Sequence, residues 1–351
     1  MNMPRSGNWG QMPQMLTASG VKRLGREAGF DLVGIVSLAG TQQAGPSAPL
    51  LEEYERYRIW LAHGFHGTMG HLVRKAALRR DPRALLPEAR SVIVCALSYL
   101  APDPFNAGPS RSTIRNPQSA IRNPKSEALL VSRYALGNDY HRVVRRRLKN
   151  LLRKIEERLG RAVGARLCVD TAPVLERALA RLAGIGWIGK NNCLIHPTFG
   201  SFLFLGELIV DLDLPPDRPL ADRCGRCERC LSACPTHALV EPRRLDARRC
   251  IAYLTIEHRG PMDPVPAKRL GRRLYGCDTC QEVCPWNQRA QRRVASTVRE
   301  LWPAPHLVQA LASDFEFADE AEFRAFFKNS VIRRLGLETW RRNLHEARRQ
   351  E

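Results

Sequence analysis

Two stretches of the chain repeat apolar residues at the spacing of an α-helix. The first begins at Thr17 or Ser19, residue types that cap helices, and its apolar positions are Val21, Leu24 and Ala28. The second, 141–161, has an apolar face of Val144, Leu148, Leu151, Leu152, Ile155 and Leu159. Most of its other positions are basic: Arg145, Arg146, Arg147, Lys149, Arg153, Lys154 and Arg158. This basic face is either solvated, which we favour, or a contact for nucleic acid.

Runs of consecutive apolar residues predict the strands. The run at 91–97 is rich in β-branched residues, as expected of a buried strand. Similar patterns predict strands at 30–36, 167–169, 193–195 and 202–210, and a helix at 173–182. The N-terminal part of the chain therefore combines helices with strands.

Changes in composition divide the chain into segments. Residues 1–14, rich in Met, Gly, Asn, Gln and Pro, are predicted to be disordered. Residues 102–127 contain the sequence Ile-Arg-Asn-Pro twice among Pro, Asn, Ser and Gly, which indicates a flexible surface insertion. The Pro-rich stretch 215–219 predicts a linker. We therefore divide the chain into a domain at 15–214, a second domain at 218–290 and a basic helical segment at 291–351.

The charge of the chain bears on its partners. Lys and Arg number 55 against 35 Asp and Glu, which gives a formal net charge of +20. A surface this basic favours binding to a polyanion such as nucleic acid; the alternative is a basic proteome with no such partner. The N-terminus lacks the apolar core of an export signal, and the longest apolar stretch, 92–101, is shorter than the ~20 residues that a membrane helix needs. We expect a cytoplasmic protein with no membrane partner.

Most of the 11 cysteines fall into two groups near the second domain's two ends. The first group, which ends in Cys-Pro, has two gaps of two residues and one of three: Cys224, Cys227, Cys230 and Cys234. This is the spacing of bacterial two-cluster ferredoxins, in which the fourth cysteine ligates the other cluster. The second group also ends in Cys-Pro but lacks one cysteine, for which Cys250 is the natural substitute: Cys277, Cys280 and Cys284.

The spacing therefore predicts two [4Fe–4S] clusters with crossed ligands. One cluster takes Cys224, Cys227, Cys230 and Cys284. The other takes Cys234, Cys250, Cys277 and Cys280. Zinc is the alternative, because Cys-x2-Cys pairs also build tetrahedral sites, but zinc motifs seldom place three closely spaced cysteines before Cys-Pro. The remaining cysteines lie in predicted strands and are interpreted as small buried apolar residues: Cys95, Cys168 and Cys193.

Several ordered motifs resemble those of the epoxyqueuosine reductases. They are MGHLVRKAALRRDP at 69–82, SRYALGNDYH at 132–141, VDTAPVLERALARLAGIGWIGKN at 169–191, GSFLFLGELIVD at 200–211 and CIAYLTIE at 250–257, together with both cysteine groups. The resemblance extends from Thr17 to Trp340. It implies an α+β fold, with a nitroreductase-like corrinoid-binding domain, a two-cluster ferredoxin-like domain and a short C-terminal helical segment. The implied activity is that of a cobalamin-dependent oxidoreductase that completes queuosine in the anticodon loop of transfer RNA.

The resemblance also implies a mechanism and a set of site residues. Electrons pass from the clusters to cobalamin, reduced cobalt acts on the epoxide of the modified base, and loss of water leaves an alkene. The position that matches the family's proton donor is Asp170. The positions that match its corrinoid-binding segments are Arg79, Tyr134, Ala135, Asp170, Lys190, Asn191 and Cys193. His141 is not expected to bind cobalt, because the family holds its corrinoid without an axial protein ligand.

Local chemistry offers a simpler alternative for several of these residues. Asp170 follows a predicted strand and precedes a predicted helix, so either it or Thr171 could cap that helix. To donate a proton near neutral pH, Asp170 would need its pKa raised by burial. Arg79 could be a surface arginine, and His141 could cap the basic helix that follows it.

The chain departs from the family at its C-terminal end. Many relatives continue into a longer helical-repeat domain that grips the anticodon arm, and 323–344 matches only its beginning. Basic residues could compensate: Arg269, Arg272, Arg273, Arg292, Arg293, Arg333, Arg334, Arg341 and Arg342. We expect a monomer whose partners are transfer RNA and an electron donor. The other functions considered are a corrinoid reductase of a small molecule, like the reductive dehalogenases, and a non-enzymatic electron-transfer module.

Overall fold

The structure, a computed structural model, describes residues 16–38, 47–101, 129–263, 267–293, 296–311 and 316–349. The segment predicted to be disordered, 1–14, and the predicted insertion, 102–127, lie outside these ranges. In the part of the chain that the structure describes, we find no helix that combines the length and the apolar character needed to span a bilayer.

The N-terminal region mixes helices and strands, as the apolar pattern predicts. Its helices are α1 (Ala18–Glu27), α2 (Ala48–Ala62), α3 (Gly70–Arg74), α4 (Tyr140–Leu159) and α5 (Glu176–Leu182). Its strands are β1 (Leu32–Ser37), β2 (Ser91–Ser98), β3 (Leu130–Val131), β4 (Ala165–Cys168), β5 (Trp187–Ile188), β6 (Leu194–Ile195) and β7 (Leu203–Val210). The predicted helices and strands are confirmed with shifted ends, and β5 is an addition inside a glycine-rich turn.

Four of these strands form the central antiparallel sheet, in the order β1-β2-β7-β4. All eight residues of β2 are buried because both faces of the sheet are covered. On one face Ile93, Cys95 and Leu97 share a core with α1 and α4. On the other face a second core contains Val92, Val94, Ala96, Leu179 of α5 and Ile209 of β7. This two-sided cover explains why the run at 91–97 is uninterrupted by polar residues.

Local chemistry fixes where the main helices begin and end. Thr17 Oγ1 accepts a hydrogen bond from the backbone N–H of Gly20 at 3.1 Å and caps α1, as predicted. Asp139 Oδ1 accepts from the N–H of His141 at 3.0 Å and caps α4, so the capping residue is Asp139 and the interpretation of His141 as the cap is wrong. Gly160, at φ 66°, ends α4 in the left-handed conformation that glycine adopts readily.

The cysteine-bearing region consists of short elements joined by turns. They are α6 (Arg229–Ser232), β8 (Leu239–Glu241), β9 (Arg244–Leu245), α7 (Ile251–Ile256), β10 (Arg273–Tyr275), α8 (Thr279–Glu282) and α9 (Pro285–Arg293). Strands β8 and β9 form a hairpin, whereas β10 pairs in parallel with β3 of the N-terminal region. The two predicted domains are therefore joined by a shared sheet as well as by the linker, whose Asp217 accepts from the backbone N–H of Ile35 at 2.9 Å.

The C-terminal segment packs into the rest of the molecule. Its helices are α10 (Pro305–Leu311), α11 (Glu320–Phe326) and α12 (Leu337–Arg348), and Phe323, Phe327 and Trp340 form a core with Leu274 of β10. The buried Asn343 Nδ2 donates to the carbonyl oxygens of Thr255 and Leu274, both at 2.8 Å. This segment therefore helps to hold the cysteine-bearing region together.

Several of the arginines expected to bind RNA are instead engaged within the fold. Arg342 donates to three backbone carbonyl groups, those of Leu254, His258 and Gly260. Arg273 and Arg341 also donate to backbone carbonyl oxygens. The expectation is therefore wrong for Arg342 as a free RNA contact, whereas Arg292, Arg293 and Arg333 are exposed.

Candidate active site

A cavity of about 660 Å³ opens where the N-terminal region meets the β8–β9 hairpin. Its wall combines α2, the turn Ala77–Arg80, the segment 170–178 and the hairpin. Trp60 of α2 fixes the hairpin against the first region, since its Nε1 donates to the carbonyl oxygen of Leu245 at 2.6 Å. A cavity of this size between two structural units is a typical ligand site, because such sites hold roughly 300–1,000 Å³.

Arg79 contributes a buried guanidinium to the cavity wall. Only 8% of the residue is exposed, so the alternative of a surface arginine is wrong. Its Nη1 donates to the carbonyl oxygen of Lys75 at 3.1 Å, and the guanidinium lies 5.7 Å from the centre of the Tyr57 ring. Among the described residues, no carboxylate lies within ion-pair distance of Arg79. A buried cation without an acidic partner is costly. Because the carbonyl oxygen of Lys75 takes up only one of the guanidinium N–H groups, most of the donors of Arg79 are available for an acceptor in the cavity.

Asp170 lies on the same wall and has an unusual backbone conformation. It directly follows Val169 at the end of β4 and has a φ of 50°, which a residue with a side chain rarely adopts. Its Oδ2 accepts hydrogen bonds from Tyr140 Oη at 2.9 Å and from His141 Nε2 at 3.0 Å. The interpretation of Asp170 as a helix cap is wrong, because α5 begins after Leu175 without a side-chain cap.

His141 connects Asp170 to a second carboxylate. Its Nδ1 lies 2.8 Å from Oδ1 of the buried Asp139, and Arg334 Nη2 of the C-terminal segment donates to the other oxygen of Asp139 at 2.9 Å. Burial alone would lower the pKa of His141, but the hydrogen bonds to Asp139 and Asp170 outweigh burial and raise it above the ordinary value. The raised pKa favours the protonated imidazole, which can donate from both nitrogens.

The pKa of Asp170 is lowered, although its proposed role called for a raised value. Although 53% of the side chain is exposed, the partial removal of water by the surrounding protein would, taken alone, raise the pKa of Asp170. The hydrogen bonds and positive charge of His141, with the hydroxyl of Tyr140, stabilise the anion more strongly. These residues by themselves therefore do not supply the raised pKa that Asp170 would need to donate a proton near neutral pH. Tyr140 keeps its own proton, because burial and the neighbouring Asp170 raise the pKa of its phenol far above the ordinary value.

The pattern of the sequence does not point to Tyr140 or Glu176 as part of this site. Glu176, the first residue of α5, also lies on the cavity wall, and its Oε1 accepts a hydrogen bond from the backbone N–H of Asp170. Burial and repulsion from Asp170 raise the pKa of Glu176 to about 8. The available signal is only that both residues lie inside motifs shared with the family.

The other predicted corrinoid contacts lie away from the cavity wall. Ala135 is fully buried, and Tyr134 packs against Tyr140. Lys190 Nζ is 3.3 Å from Glu228 Oε1. Asn191 Nδ2 donates to the carbonyl oxygen of Cys280 at 3.2 Å. Of the predicted set, only Arg79 and Asp170 lie on the described wall of the cavity. Asn192, the residue between Asn191 and Cys193, also lies on this wall.

The first predicted cluster's cysteines lie close to one another. Burial raises the pKa of the Cys230 thiol to about 11, and the thiols of Cys284 and Cys224 add to this by repulsion. The N–H of Cys227 donates to the carbonyl oxygen of Cys224 at 3.1 Å. Trp187, Trp286 and Ile195 pack around Cys224 and Cys284. Cys284 thus lies near the first cysteine group, although it follows that group by 50 or more residues in the sequence.

The cysteines of the second predicted set also lie close to one another. Burial raises the pKa of the Cys250 thiol to about 11, with repulsion from Cys277 and Cys234 acting in the same direction. A hydrogen bond shared with Cys193 is the largest cause that raises the pKa of Cys280, which also interacts with Cys277 and Cys250. Cys250 packs against the same small core as Trp60, whose helix forms part of the cavity wall. Cys193 therefore borders this set, whereas Cys95 and Cys168 are buried in the sheet as predicted.

Two family models match parts of the chain. One, described as a 4Fe-4S double cluster binding domain, matches residues 223–287 and contains all eight cysteines assigned to clusters. The other, described as "Epoxyqueuosine reductase QueG, DUF1730", matches residues 79–171, a range that begins at Arg79 and ends just after Asp170.

Curated proteins and solved structures match nearly the whole chain. An epoxyqueuosine reductase of Xanthomonas campestris is 42% identical over 93% of this chain and 85% of its own length. That of Escherichia coli is 40% identical over 94% of this chain and 80% of its own. A crystal structure of epoxyqueuosine reductase with an epoxyqueuosine-modified tRNA-Tyr stem loop aligns with a TM-score of 0.75 at 29% identity, covering 95% of this chain and 80% of that one. The enzyme from Bacillus subtilis, solved with an aspartate catalytic loop swung out of the active site, aligns at 0.73 and 28%, covering 95% and 81%.

Proposed function

Because the chain belongs to the epoxyqueuosine reductase family, we propose that it reduces epoxyqueuosine to queuosine at the wobble position of transfer RNA. The observation that carries this proposal is the convergence of Arg79 and Asp170 on one cavity that the cysteine-bearing region closes. The chain is accordingly an oxidoreductase that acts on a modified base in RNA. Its net charge of +20 suits such a substrate, since a basic surface attracts the phosphate backbone.

The double-cluster match supports two [4Fe–4S] clusters in this chain. We assign Cys224, Cys227, Cys230 and Cys284 to one cluster. We assign Cys234, Cys250, Cys277 and Cys280 to the other. The second cluster would lie nearer to the cavity, because Cys250 and Trp60 of the cavity wall pack against the same small core. An external electron donor would then deliver electrons to the first cluster, whose cysteine loop is the more exposed.

We extend the proposal to cobalamin as the cofactor of the cavity, in a nitroreductase-like fold. The residues present suit a corrinoid, since the cavity is large and open and Arg79 offers unpaired donors to a peripheral amide or phosphate. When bound, cobalamin supplies the reducing cobalt centre, and the clusters supply its electrons. Arg79 would hold the cofactor, and Asp170, Glu176 and Arg177 would border the space left for the base.

The proposed role of Asp170 is to hand a proton to the departing epoxide oxygen. In the resting protein, Tyr140 and His141 donate hydrogen bonds to its carboxylate and hold it in position at the cavity. A cofactor and a base that fill the cavity would remove the water that now reaches 53% of the side chain, and this desolvation favours the protonated acid. The lowered pKa of Asp170 is thus compatible with a proton donor that takes up its proton only when the cofactor and the base fill the cavity.

The proposed function is tested by anaerobic reconstitution of the whole chain with iron, sulfide and cobalamin. With a strong chemical reductant and transfer RNA that carries epoxyqueuosine, the protein should form queuosine, measured by mass spectrometry of the digested nucleosides. Omission of cobalamin should abolish product. Protein that carries both clusters and cobalamin but converts none of the substrate would contradict the proposal.

Replacement of Arg79 tests the cofactor site directly. An Arg79→Gln variant should bind cobalamin at least about tenfold more weakly, because it loses a charged donor whose hydrogen bonds are each worth ~1.5–3 kcal/mol. Equilibrium dialysis with absorbance detection measures this dissociation constant without turnover. Arg80→Gln is the matched control, because Arg80 is the exposed neighbour in the same turn. If the two variants bind cobalamin with equal affinity, Arg79 is not part of the cofactor site.

A further inference from the structure

A third carboxyl group, that of Glu207, lies beneath Asp170 and Glu176, against the sheet. Glu207 is the only charged residue in the run 202–210, and none of its surface is exposed. On strand β7 it pairs across the sheet with Cys168 of β4 and Val94 of β2. These two neighbours belong to the core on the side that α5 covers, so the Glu207 side chain lies between the sheet and the helix that begins with Glu176.

Neither carboxyl oxygen of Glu207 has a hydrogen-bond partner among the residues that the structure describes. An ionised carboxylate in such a place would cost several kcal/mol, so the group keeps its proton instead. Burial raises the pKa of Glu207 well above the ordinary value, and repulsion from Glu176 and Asp170 adds to this. Side chains with unsatisfied buried polar atoms are rare in folded proteins and often have a functional reason.

Glu176 connects this buried acid to the active site. It accepts the backbone N–H of Asp170 and lies on the cavity wall, while its own raised pKa keeps it largely protonated at neutral pH. The titratable and charged groups that act on Glu176 are Asp170, Arg177, His141 and Glu207, with Tyr140 and Cys168 nearby. Those that act on Glu207 are Glu176 and Asp170, and it acts in turn on Cys95 and Cys168. Three carboxyl groups therefore lead from the sheet interior to the cavity.

The proposed reaction needs more protons than Asp170 can carry at once. Reduction of an epoxide to an alkene breaks two C–O bonds, forms one C=C bond and releases the oxygen as water. It consumes two electrons, which the clusters supply, and two protons. Asp170 holds only one proton, so it must be protonated again within each turnover while the base still covers the cavity.

We propose that Glu176 stores the proton that reloads Asp170 during each turnover. The proposal rests on the proposed function. One proton passes from the Glu176 carboxyl group to the carboxylate of Asp170, whose backbone N–H already donates to Glu176. Glu207 beneath it keeps its own proton, because its buried anion would have no hydrogen-bond partner among the described residues. No electron moves in the transfer, and a proton from solvent restores Glu176 after product leaves. Glu176 acts through Asp170 and is therefore a positioning residue.

Infrared spectroscopy of the reconstituted protein tests the store independently of turnover. At neutral pH the wild-type protein should show the carbonyl stretching band of protonated carboxylic acids. Glu207→Gln and Glu176→Gln should each remove part of this band. A wild-type spectrum without it, or a band that neither substitution changes, would overturn the proposal even if the enzyme is active.

Kinetics test whether the stored proton is used. Glu176→Gln should lower kcat at least about tenfold, the low end for lost proton-transfer catalysis, with an unchanged KM for the RNA and an increased solvent deuterium isotope effect. Glu176→Asp should recover part of kcat, since it restores a carboxyl group but not its position. Glu157→Gln is the matched control, because it removes an exposed carboxylate of α4.

The outcomes separate this proposal from the proposed function. If the loaded wild-type protein forms no queuosine, the proposed function fails, and the infrared result still decides whether the protonated pair exists. If the wild-type protein is active and Glu176→Gln matches it in kcat and isotope effect, the reloading role is overturned. If Glu176→Gln loses cobalamin or either cluster, absorbance reveals it, and Glu176→Asp, which keeps a carboxyl group, then decides the kinetic question by the same readouts.

Discussion

An Asp170→Asn variant should keep both clusters and cobalamin but lose about 10²–10⁴ of kcat, the range typical of lost general acid catalysis. Asparagine has nearly the same shape and can still accept the hydrogen bonds of Tyr140 and His141, so the loop should keep its place. It cannot hand over a proton. Because the change leaves the RNA-binding surface intact, KM for the RNA should change little. Product formation under anaerobic conditions, with absorbance spectra of the cofactors, measures both effects.

Tyr140→Phe is the natural companion to this variant. It removes one of the two hydrogen bonds to Asp170 but leaves the carboxyl group in place, so its loss of kcat should be much smaller. A ranking in which Tyr140→Phe is the more damaging change would assign the proton donor to the phenol. Turnover by Asp170→Asn within about threefold of the wild-type rate would exclude Asp170 as the acid, because proton donors contribute at least ~10².

The pH dependence of the Asp170 loop follows from the signs of two pKa shifts. The pKa of Asp170 is lowered, so its contribution to holding the loop is present above its ordinary pKa and is lost as the pH falls through the lowered value. The pKa of His141 is raised, so its contribution is complete below its ordinary pKa and is lost as the pH rises through the raised value. The ion pair between them is therefore complete in the window between the two values.

The sequence predicts best those features whose signal is local. Thr17 caps the first helix because its hydroxyl reaches an N–H three residues away, and the apolar run at 91–97 becomes the fully buried strand β2. Cysteine spacing predicts that the three cysteines separated by two-residue gaps share one cluster, whereas the fourth, after a gap of three, ligates the other. The short strand β5 escapes prediction, since two residues within a glycine-rich turn carry no periodic pattern.

The parts of the site that the sequence does not predict depend on contacts between distant residues. Arg334 reaches Asp139 from 195 positions away, and this contact helps set the charge of His141 and so the pKa of Asp170. A prediction that considers burial alone gives the wrong sign for Asp170. Glu207 does leave a signal, since it is a lone acid in an apolar run, but the pattern cannot show whether it has a partner.

The isolated cysteine gives the second prediction of large effect. Cys250→Ala should lower the iron content from about eight to about four per protein, because each [4Fe–4S] cluster needs its full set of thiolates. It should also abolish queuosine formation, since Cys250 packs against the same core as Trp60 of the cavity wall, and electrons would have to pass through the cluster on that side. Iron analysis with electron paramagnetic resonance of the reduced protein should show one cluster remaining.

The crossed ligand assignment also predicts which cysteine variants should lose the same cluster. Cys234→Ala should remove the same cluster as Cys250→Ala and leave the same resonance spectrum, although Cys234 belongs to the first group in sequence. Cys284→Ala should instead match Cys227→Ala. Cys95→Ala is the matched control, because this cysteine is buried in β2 and should leave iron and activity unchanged. If Cys234→Ala and Cys227→Ala remove the same cluster, the ligands are not crossed, and the two centres must be assigned anew from the paired thiols.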